Sequence, residues 1–370
     1  MDLLIDHSFC LDHLMTSIRP PNWKIEDDFA DIAKQGSRSF EQLKAGHLFL
    51  TGGTGFIGTW LLEAIAFINQ SQGYNIQVTI LTRSPEGFRA KYPKLFEEPN
   101  FHYVAGDVTN LPSEIVSSKI QFTHLIHAAT DASAELNEVN PLQMFDTVVL
   151  GTREILAFAV KQKIGKVLYL SSGAVYGKQP PGVDFVLEDS MSAPDCLNPK
   201  NTYAEGKRAS EMLCAIYGKQ FGCQVVVARI FALLGPLLNL DIHFAAGNFI
   251  RDALAGKKII VSGDGKPERS YLYPADLIVW LLAMLTHGKP GTAYNAGSEE
   301  AISIANLAKL TSSLLGDCGY EVLNLSDSGW NPGRYVPSNQ LIQEQLGVKQ
   351  TVNLAEAIKR TAYWNGWRKS

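Results

Sequence analysis

The feature that most constrains this chain lies near residue 50, where a short apolar run, His47 to Leu50, opens into Thr51-Gly52-Gly53-Thr54-Gly55-Phe56-Ile57-Gly58-Thr59. Gly52, Gly55 and Gly58 have the spacing of the first turn of a dinucleotide-binding βαβ unit. One glycine allows the tight turn out of a strand, one lets the backbone approach a pyrophosphate, and one lets the following helix pack against the sheet. The helix N-terminus adds unpaired N–H groups and a partial positive charge. Glycine-rich turns also arise for structural reasons alone, so the flanks decide. Here an apolar helix, Trp60 to Phe67, follows, and Ile76 to Leu81 reads as the next strand. The loop is read as a cofactor cradle, with Thr54, Phe56 and Ile57 beside the three glycines.

From there strand and helix alternate. After a first strand at 47–50 and a helix at 60–69, strands are expected at 76–82, 101–105, 122–128, 166–171 and 224–230, with long helices at 142–161 and 202–217. Near-continuous apolar strands in this rhythm belong to a parallel sheet covered on both faces. The expected fold is α/β, a Rossmann-type NAD(P)-binding domain over residues 46–235. Its fourth strand ends at Ala128 and Ala129, small residues where the backbone would meet a cofactor. After about residue 231 the rhythm breaks into helices at 244–254, 277–285, 302–315 and 354–364 and a short strand at 258–261. Residues 236–370 therefore read mostly as a smaller, mixed, substrate-binding lobe on the carboxyl ends of the strands. Residues 1–45 form an N-terminal extension, with short helices expected at 11–18, 25–32 and 40–43. Its apolar content is too high for a free tail, so it is expected to pack on the main body.

A chain of 370 residues can bury a full-sized core, and 46% hydrophobic with 19% charged residues is ordinary for a globular protein. A net charge of −4 gives no reason to expect nucleic acid or a membrane surface as partner. Cys10, Cys196, Cys214, Cys223 and Cys318 are scattered and lack CxxC spacing, so neither a disulfide framework nor a metal site is expected. No secretory signal pattern or membrane-length apolar run is seen, and a cytoplasmic location is the expectation.

The chemistry-bearing residues lie further on. Tyr203-Ala204-Glu205-Gly206-Lys207 sets a phenol and an ammonium four apart on a helix, so both point to one side. A tyrosine is a poor base at its free pKa of about 10, but a neighbouring cation favours the phenolate. Ser172, at the end of the fifth strand, is placed to share the hydrogen bond to a reacting oxygen. Tyrosine and lysine at this spacing also occur by chance, so the pair alone decides little.

The motifs taken together decide more. Thr51 to Gly58, Gly106-Asp107-Val108, His127-Ala128-Ala129, Ser171-Ser172-Gly173-Ala174-Val175-Tyr176-Gly177, Tyr203 to Lys207 and Arg229-Ile230-Phe231 follow one another in order. Gly235-Pro236, Asn248, Arg269-Ser270-Tyr271-Leu272-Tyr273 and Asp276-Leu277 continue the series. In this the chain resembles the extended short-chain dehydrogenases/reductases of the NAD-dependent epimerase/dehydratase family, which modify nucleotide sugars. The resemblance covers roughly residues 47–365 and leaves the first 45 unmatched. It implies that Tyr203 is the acid/base, that Lys207 holds the nicotinamide ribose and tunes the tyrosine, and that Ser172 binds the reacting oxygen. It implies that Asp107 and Val108 meet the adenine, and that Asn248, Arg269 and Arg334 bind the diphosphate of a nucleoside-diphosphate sugar. Forked arginine donors suit phosphate oxygens. The helices at 142–161 and 202–217 resemble the pair through which such proteins form homodimers.

Departures from the family pattern bear on the reaction. Resembling 4,6-dehydratases carry an Asp-Glu pair where this chain has Gly173 and Ala174, and related sugar-acid decarboxylases carry a glutamate at the second of these. Neither activity is favoured unless a carboxylate from elsewhere, such as Glu205 or Asp195, stands in. The oxidation–reduction core is intact. It suits a sugar 4-epimerase working through a transient 4-keto intermediate; a 4-keto reductase or an atypical 4,6-dehydratase are the alternatives, and a non-catalytic nucleotide-binding protein is a further one. Val148 and Ala232 stand where the family often has asparagine. At the end of the second strand, Leu81-Thr82-Arg83-Ser84 has no acid for a ribose diol, while Arg83 and a hydroxyl suit a 2′-phosphate. The expectation is NADP rather than NAD, although an arginine stacked on adenine suits either.

Overall fold

The computed structural model describes residues 23–130, 134–241, 245–323 and 333–368, and the helix expected at 11–18 lies outside them. Two helices, α1 (Ile25–Gln35) and α2 (Ser37–Leu43), precede the first strand. Then come β1 (His47–Thr51), α3 (Phe56–Gln72), β2 (Gln77–Thr82), β3 (Phe101–Ala105), β4 (His124–His127), α4 (Pro141–Lys161), β5 (Lys166–Ser172), α5 (Thr202–Phe221) and β6 (Val225–Ile230). The later chain adds α6 (Ala245–Leu254), β7 (Ile259–Val261), β8 (Glu268–Arg269), α7 (Pro274–His287), β9 (Ala293–Ala296), β10 (Ile302–Ser303) and α8 (Ile304–Leu314). It closes with β11 (Tyr320–Val322), β12 (Arg334–Tyr335) and α9 (Leu354–Trp364).

The main sheet has seven strands in the order β3-β2-β1-β4-β5-β6-β9, every neighbouring pair parallel. Strand order reverses between β1 and β4, and the crevice beyond the carboxyl ends there is where open α/β sheets take ligands. Alternation along β1 feeds both layers. Phe49 joins the cluster containing Phe122, Phe158 and Leu156, whereas Leu48 and Leu50 join the cluster containing Trp60 and Ile278. Burial on both faces is why the strands read as continuous apolar runs.

The sheet departs from the sequence reading at its far edge, because β6 is not the last strand. Ala293-Tyr294-Asn295-Ala296 pairs with it, and the Asn295 side chain makes the run look unlike a buried strand. That amide is nevertheless satisfied: it donates to Val186 O at 2.8 Å and accepts from the Tyr176 hydroxyl at 2.8 Å. The helix expected at 302–315 begins later, because Ser303 caps it by accepting from Asn306 N at 3.2 Å and the two residues before it form β10.

Every residue of α7 from Pro274 to Thr286 is buried. One side lies on the sheet, and α1 and α2 cover the other, which turns Phe29, Ile32, Phe40 and Leu43 inward. Asp28, fully buried on α1, bonds to the Tyr273 hydroxyl and to Arg360 of α9, and accepts from Trp23 Nε1 at 3.2 Å. Small sheets β10-β8-β12 and β11-β7 complete the later part of the chain.

Candidate active site

The glycine loop has the shape of a pyrophosphate cradle. Gly52 has φ 72°, and a Cβ there would stand 2.6 Å from backbone atoms of Ala128 and Ala129. A Cβ on Gly58 would stand 2.4 Å from Gly52 O, so this glycine lets α3 close against the loop. At Gly55 the nearest atom is 3.4 Å away, which is ordinary contact, so nothing within the described residues requires glycine there. Gly55 is also the N-cap of α3 and no side chain caps it, leaving first-turn N–H groups for an anion. Thr54 is tied to the end of β2 by its hydroxyl, 3.1 Å from that of Thr82, while Phe56 and Ile57 start the helix. These residues fit a dinucleotide.

Behind the cradle runs a chain of hydrogen bonds whose directions follow from its ends. The Thr152 hydroxyl donates to Val148 O at 2.6 Å, so it accepts from His127 Nε2 at 3.2 Å. That leaves His127 Nδ1 to accept from the Thr51 hydroxyl at 2.7 Å, and Thr51 in turn accepts from Ala129 N at 3.2 Å. Burial pushes His127 down to about 3, so the ring is neutral. The chain fixes Ala128–Ala129 against Thr51, and it uses the Val148 carbonyl rather than its side chain.

On the adenine side, Asp107 follows β3 and accepts from Thr109 N at 2.8 Å and the Thr109 hydroxyl at 2.6 Å through one oxygen. Val108 is buried under Gly151, where a Cβ would meet it at 2.7 Å. Arg83 is exposed beyond β2. The hydroxyl beside it, Ser84, caps the helix Pro85–Lys91 by accepting from Gly87 N at 3.2 Å.

Ser172, Tyr203 and Lys207 come together at the end of β5. Alternation sends Ser171 to the other side, where its hydroxyl donates to Glu211 at 2.6 Å. Ser172 accepts from Ala174 N at 3.2 Å and lies near the Tyr203 phenol. Lys207 is 2% exposed, donates to Leu170 O at 2.7 Å, and lies 5.8 Å from the Tyr203 ring centre. Burial pushes Lys207 down to about 7 and raises Tyr203, the Ser172 bond opposing the latter. The phenol is thus neutral in the ligand-free protein, and a nearby cation would favour its phenolate. NAD held in this cradle would supply such a charge, on its oxidised nicotinamide, and hydride exchange.

The residues expected to hold substrate lie on the later part of the chain. Arg269 and Arg334 are on adjacent strands, β8 and β12. Arg334 is ion-paired with Glu268 and donates to Asp184 O at 2.6 Å. Arg269 donates to two carbonyls, Glu268 O at 2.7 Å and Gly333 O at 3.2 Å, and among the described residues has no carboxylate partner. Burial lowers its pKa, as expected of a partly desolvated cation. Asn248 lies in the first turns of α6 and accepts from Arg251 at 3.3 Å. Neither suggested stand-in carboxylate is uncommitted: Glu205 pairs with Arg208 at 3.7 Å, and Asp195 accepts from Leu197 N at 3.0 Å. Sequence reasoning missed Tyr335, beside Arg334 on β12, whose hydroxyl oxygen lies 2.5 Å from where a Cβ on Gly173 would stand. The signal available was an unusual glycine, Gly173, immediately after the serine.

Comparisons with known proteins agree with this geometry. The family model described as "NAD dependent epimerase/dehydratase family" matches residues 48–297. UDP-glucuronic acid decarboxylase 1 of Xenopus tropicalis is 29% identical over 317 residues, covering 86% of this chain and 71% of the relative. Among solved structures, UDP-glucose 4-epimerase of Thermotoga maritima with UDP-glucose superposes with TM-score 0.73 at 20% identity, covering 86% of this chain and 98% of that one. The dTDP-glucose 4,6-dehydratase of Streptomyces venezuelae with NAD bound gives TM-score 0.74 at 23% identity, covering 86% and 96%. Among the described residues no helix is long and apolar enough to cross a membrane, and no cluster could hold a metal ion.

Proposed function

The chain belongs to the NAD-dependent epimerase/dehydratase family, and from that premise we propose that it is a nucleotide-sugar 4-epimerase. The observation that carries this reading is a complete Ser172–Tyr203–Lys207 set in front of a dinucleotide cradle, followed by Gly173 and Ala174 instead of carboxylates. Tyr203 takes the proton of the sugar 4-hydroxyl while Ser172 holds that oxygen, and the C4 hydrogen leaves as hydride. Lys207 stabilises the phenolate and holds the nicotinamide ribose. When the 4-keto sugar presents its other face, the hydride returns and Tyr203 gives back the proton. No acid is needed to expel a hydroxyl, which suits a site without carboxylates at 173 and 174. Arg269 binds the diphosphate of the substrate, with Asn248 and Arg334 beside it. Arg83, with no acid at the end of β2, favours NADP over NAD.

A second reading has a specific observation behind it, the 29% identity to a UDP-glucuronic acid decarboxylase. Oxidation at C4 of a uronic acid gives a β-keto acid, which loses CO2. Product analysis separates the readings. UDP-glucose, UDP-glucuronic acid and dTDP-glucose are each incubated with the protein and NAD or NADP. A 4-epimer formed without net consumption of cofactor supports the epimerase, and a pentose with CO2 supports the decarboxylase. Stoichiometric use of NADPH identifies a reductase, and a 4-keto-6-deoxy sugar a dehydratase. Tyr203→Phe is expected to lower turnover about 10²–10⁴-fold, the usual worth of general acid–base catalysis. Unchanged turnover in this variant contradicts the catalytic reading.

A further inference from the structure

We propose that Tyr169 is a positioning residue for Lys207: the face of its buried ring lies against the ammonium and keeps it charged and in place where no carboxylate does so. The proposal rests on the reading above, in which Lys207 stabilises the Tyr203 phenolate and holds the nicotinamide ribose. Alternation along β5 sends Tyr169 and Ser171 to the same side of the sheet, the side covered by α5. Lys207 comes down from α5 onto this strand and donates to Leu170 O, between the two, at 2.7 Å. Its Nζ stands over the Tyr169 ring, 4.9 Å from the centroid, against 5.8 Å to that of Tyr203. The Tyr169 ring is itself fixed. It is 1% exposed and packs against His127, at 5.6 Å between centroids and tilted by 36°.

The ring matters because the buried ammonium has little else. Glu211, one turn further along α5, is committed elsewhere: Arg229 pairs with it at 2.7 Å and the Ser171 hydroxyl donates to it at 2.6 Å. Among the described residues Lys207 makes no ion pair. The other titratable groups facing it bring no negative charge. His127 on β4 is neutral, pushed down to about 3 by burial, and burial raises both Cys214 and Tyr203 on α5. From α4 the buried residues are Met144, Val148, Gly151 and Thr152, none of them charged. Burial favours the neutral amine and takes Lys207 down to about 7. An aromatic face opposes that, because it is the negative side of the ring quadrupole, and the attraction grows when the cation is desolvated. A carboxylate in the same place would also hold the ammonium, but it would cancel the field that the Tyr203 phenolate needs. A neutral ring does not. With one proton on Leu170 O, the ammonium's remaining donors stay available to the site.

The test uses the full chain. Tyr169→Phe keeps the ring and removes a hydroxyl that has no hydrogen-bond partner among the described residues, whereas Tyr169→Leu removes the aromatic face. The Lys207 titration is followed in the cofactor-free protein by NMR of lysine side-chain nitrogens, the signal being assigned by its loss in Lys207→Met. Lys207 is expected to titrate as in wild type in Tyr169→Phe and about one pH unit lower in Tyr169→Leu, the size of a desolvated cation–π contact. Fluorinated phenylalanines at 169 keep the ring's shape while draining its face of electron density. They are expected to lower the titration stepwise, and they decide the matter should Tyr169→Leu fail to fold. Turnover is then measured with whichever of UDP-glucose, UDP-glucuronic acid or dTDP-glucose the chain accepts. The high-pH limb of the pH–kcat profile, where Lys207 loses its proton, is expected to move down in step, so that kcat at pH 8 falls about tenfold in Tyr169→Leu and little in Tyr169→Phe. A Lys207 titration unchanged along the fluorinated series overturns the proposal, as does a Tyr169→Phe effect equal to that of Tyr169→Leu. If the wild-type chain turns over none of the three sugars, the catalytic reading falls, while the titration still decides whether the ring holds the charge.

Discussion

Lys207 must be charged to favour a Tyr203 phenolate, yet it is 2% exposed and burial lowers it to about 7. Its proton is therefore held less tightly in the native state than in the unfolded chain, where a lysine titrates at about 10.4. Between those values the unfolded chain binds more protons, so this group's contribution to stability improves as pH rises from about 7 to about 10 and is most unfavourable below. Lys207→Met removes the buried charge. Relative to wild type, the variant is expected to be most stable at pH 7 or below and to lose that advantage by pH 10, as measured by denaturant unfolding at each pH. Turnover is expected to be abolished throughout. Arg83 makes a second prediction at this scale: Arg83→Asp is expected to raise KM for NADP at least tenfold and to improve the use of NAD, read from steady-state kinetics with each cofactor. Ser172, Tyr203 and Lys207 were singled out by the resemblance, since the spacing of the pair alone decides little, and the structure places Tyr203 and Lys207 together on one helix near the end of β5. Tyr335 was not, because it comes up against Gly173 only through the pairing of two-residue strands that no periodicity marks.

At the scale of elements, α1 is joined to the body by charge as well as by apolar burial. Asp28 is 0% exposed, and the Arg360 side chain beside it is 4% exposed and also pairs with Glu356 at 2.9 Å. Removing one partner of a buried pair leaves the other desolvated and uncompensated. Asp28→Ala is expected to cost about 3–5 kcal/mol, near the lower figure because Glu356 remains. Urea unfolding measures it, and a change below about 0.5 kcal/mol, the range of ordinary surface substitutions, contradicts the account. Sequence periodicity marked helices near residues 25–32 and 40–43, and the structure has them at Ile25–Gln35 and Ser37–Leu43. It did not mark what they cover. The all-round burial of α7 looks from sequence like a helix in a deep core, and only the third layer explains it. The first six strands of the main sheet were legible because both their faces are apolar. β9 was not, since Asn295 is buried by hydrogen bonds rather than by hydrophobicity.

At the scale of the whole molecule, α4 and α5 pack side by side on the sheet and leave apolar side chains on their outer surface. Leu142 is 69% exposed, Phe145 36%, Leu150 46%, Met212 62% and Ile216 38%. Isolated exposed leucines are common on monomers, whereas apolar side chains left uncovered on two packed helices are what an association surface would use. Two copies meeting through this face would form a four-helix arrangement, the one expected from the resemblance. A twofold contact counts each substitution twice, since the same patch lies on both sides. The variant Leu150→Glu with Met212→Glu therefore sets four carboxylates into one apolar interface. It is expected to be monomeric by sedimentation equilibrium at concentrations where the wild type is dimeric. Because both side chains are largely exposed in the single chain, the variant's fold should be unaffected by circular dichroism. A wild type that is monomeric at these concentrations rules out this face as a stable interface. Tyr203 and Lys207 lie on the same helix as Met212, so a contact through this face would share α5 with the proposed acid/base pair. Loss of turnover on dissociation, with the fold intact, would show that the second copy braces this helix against the end of β5.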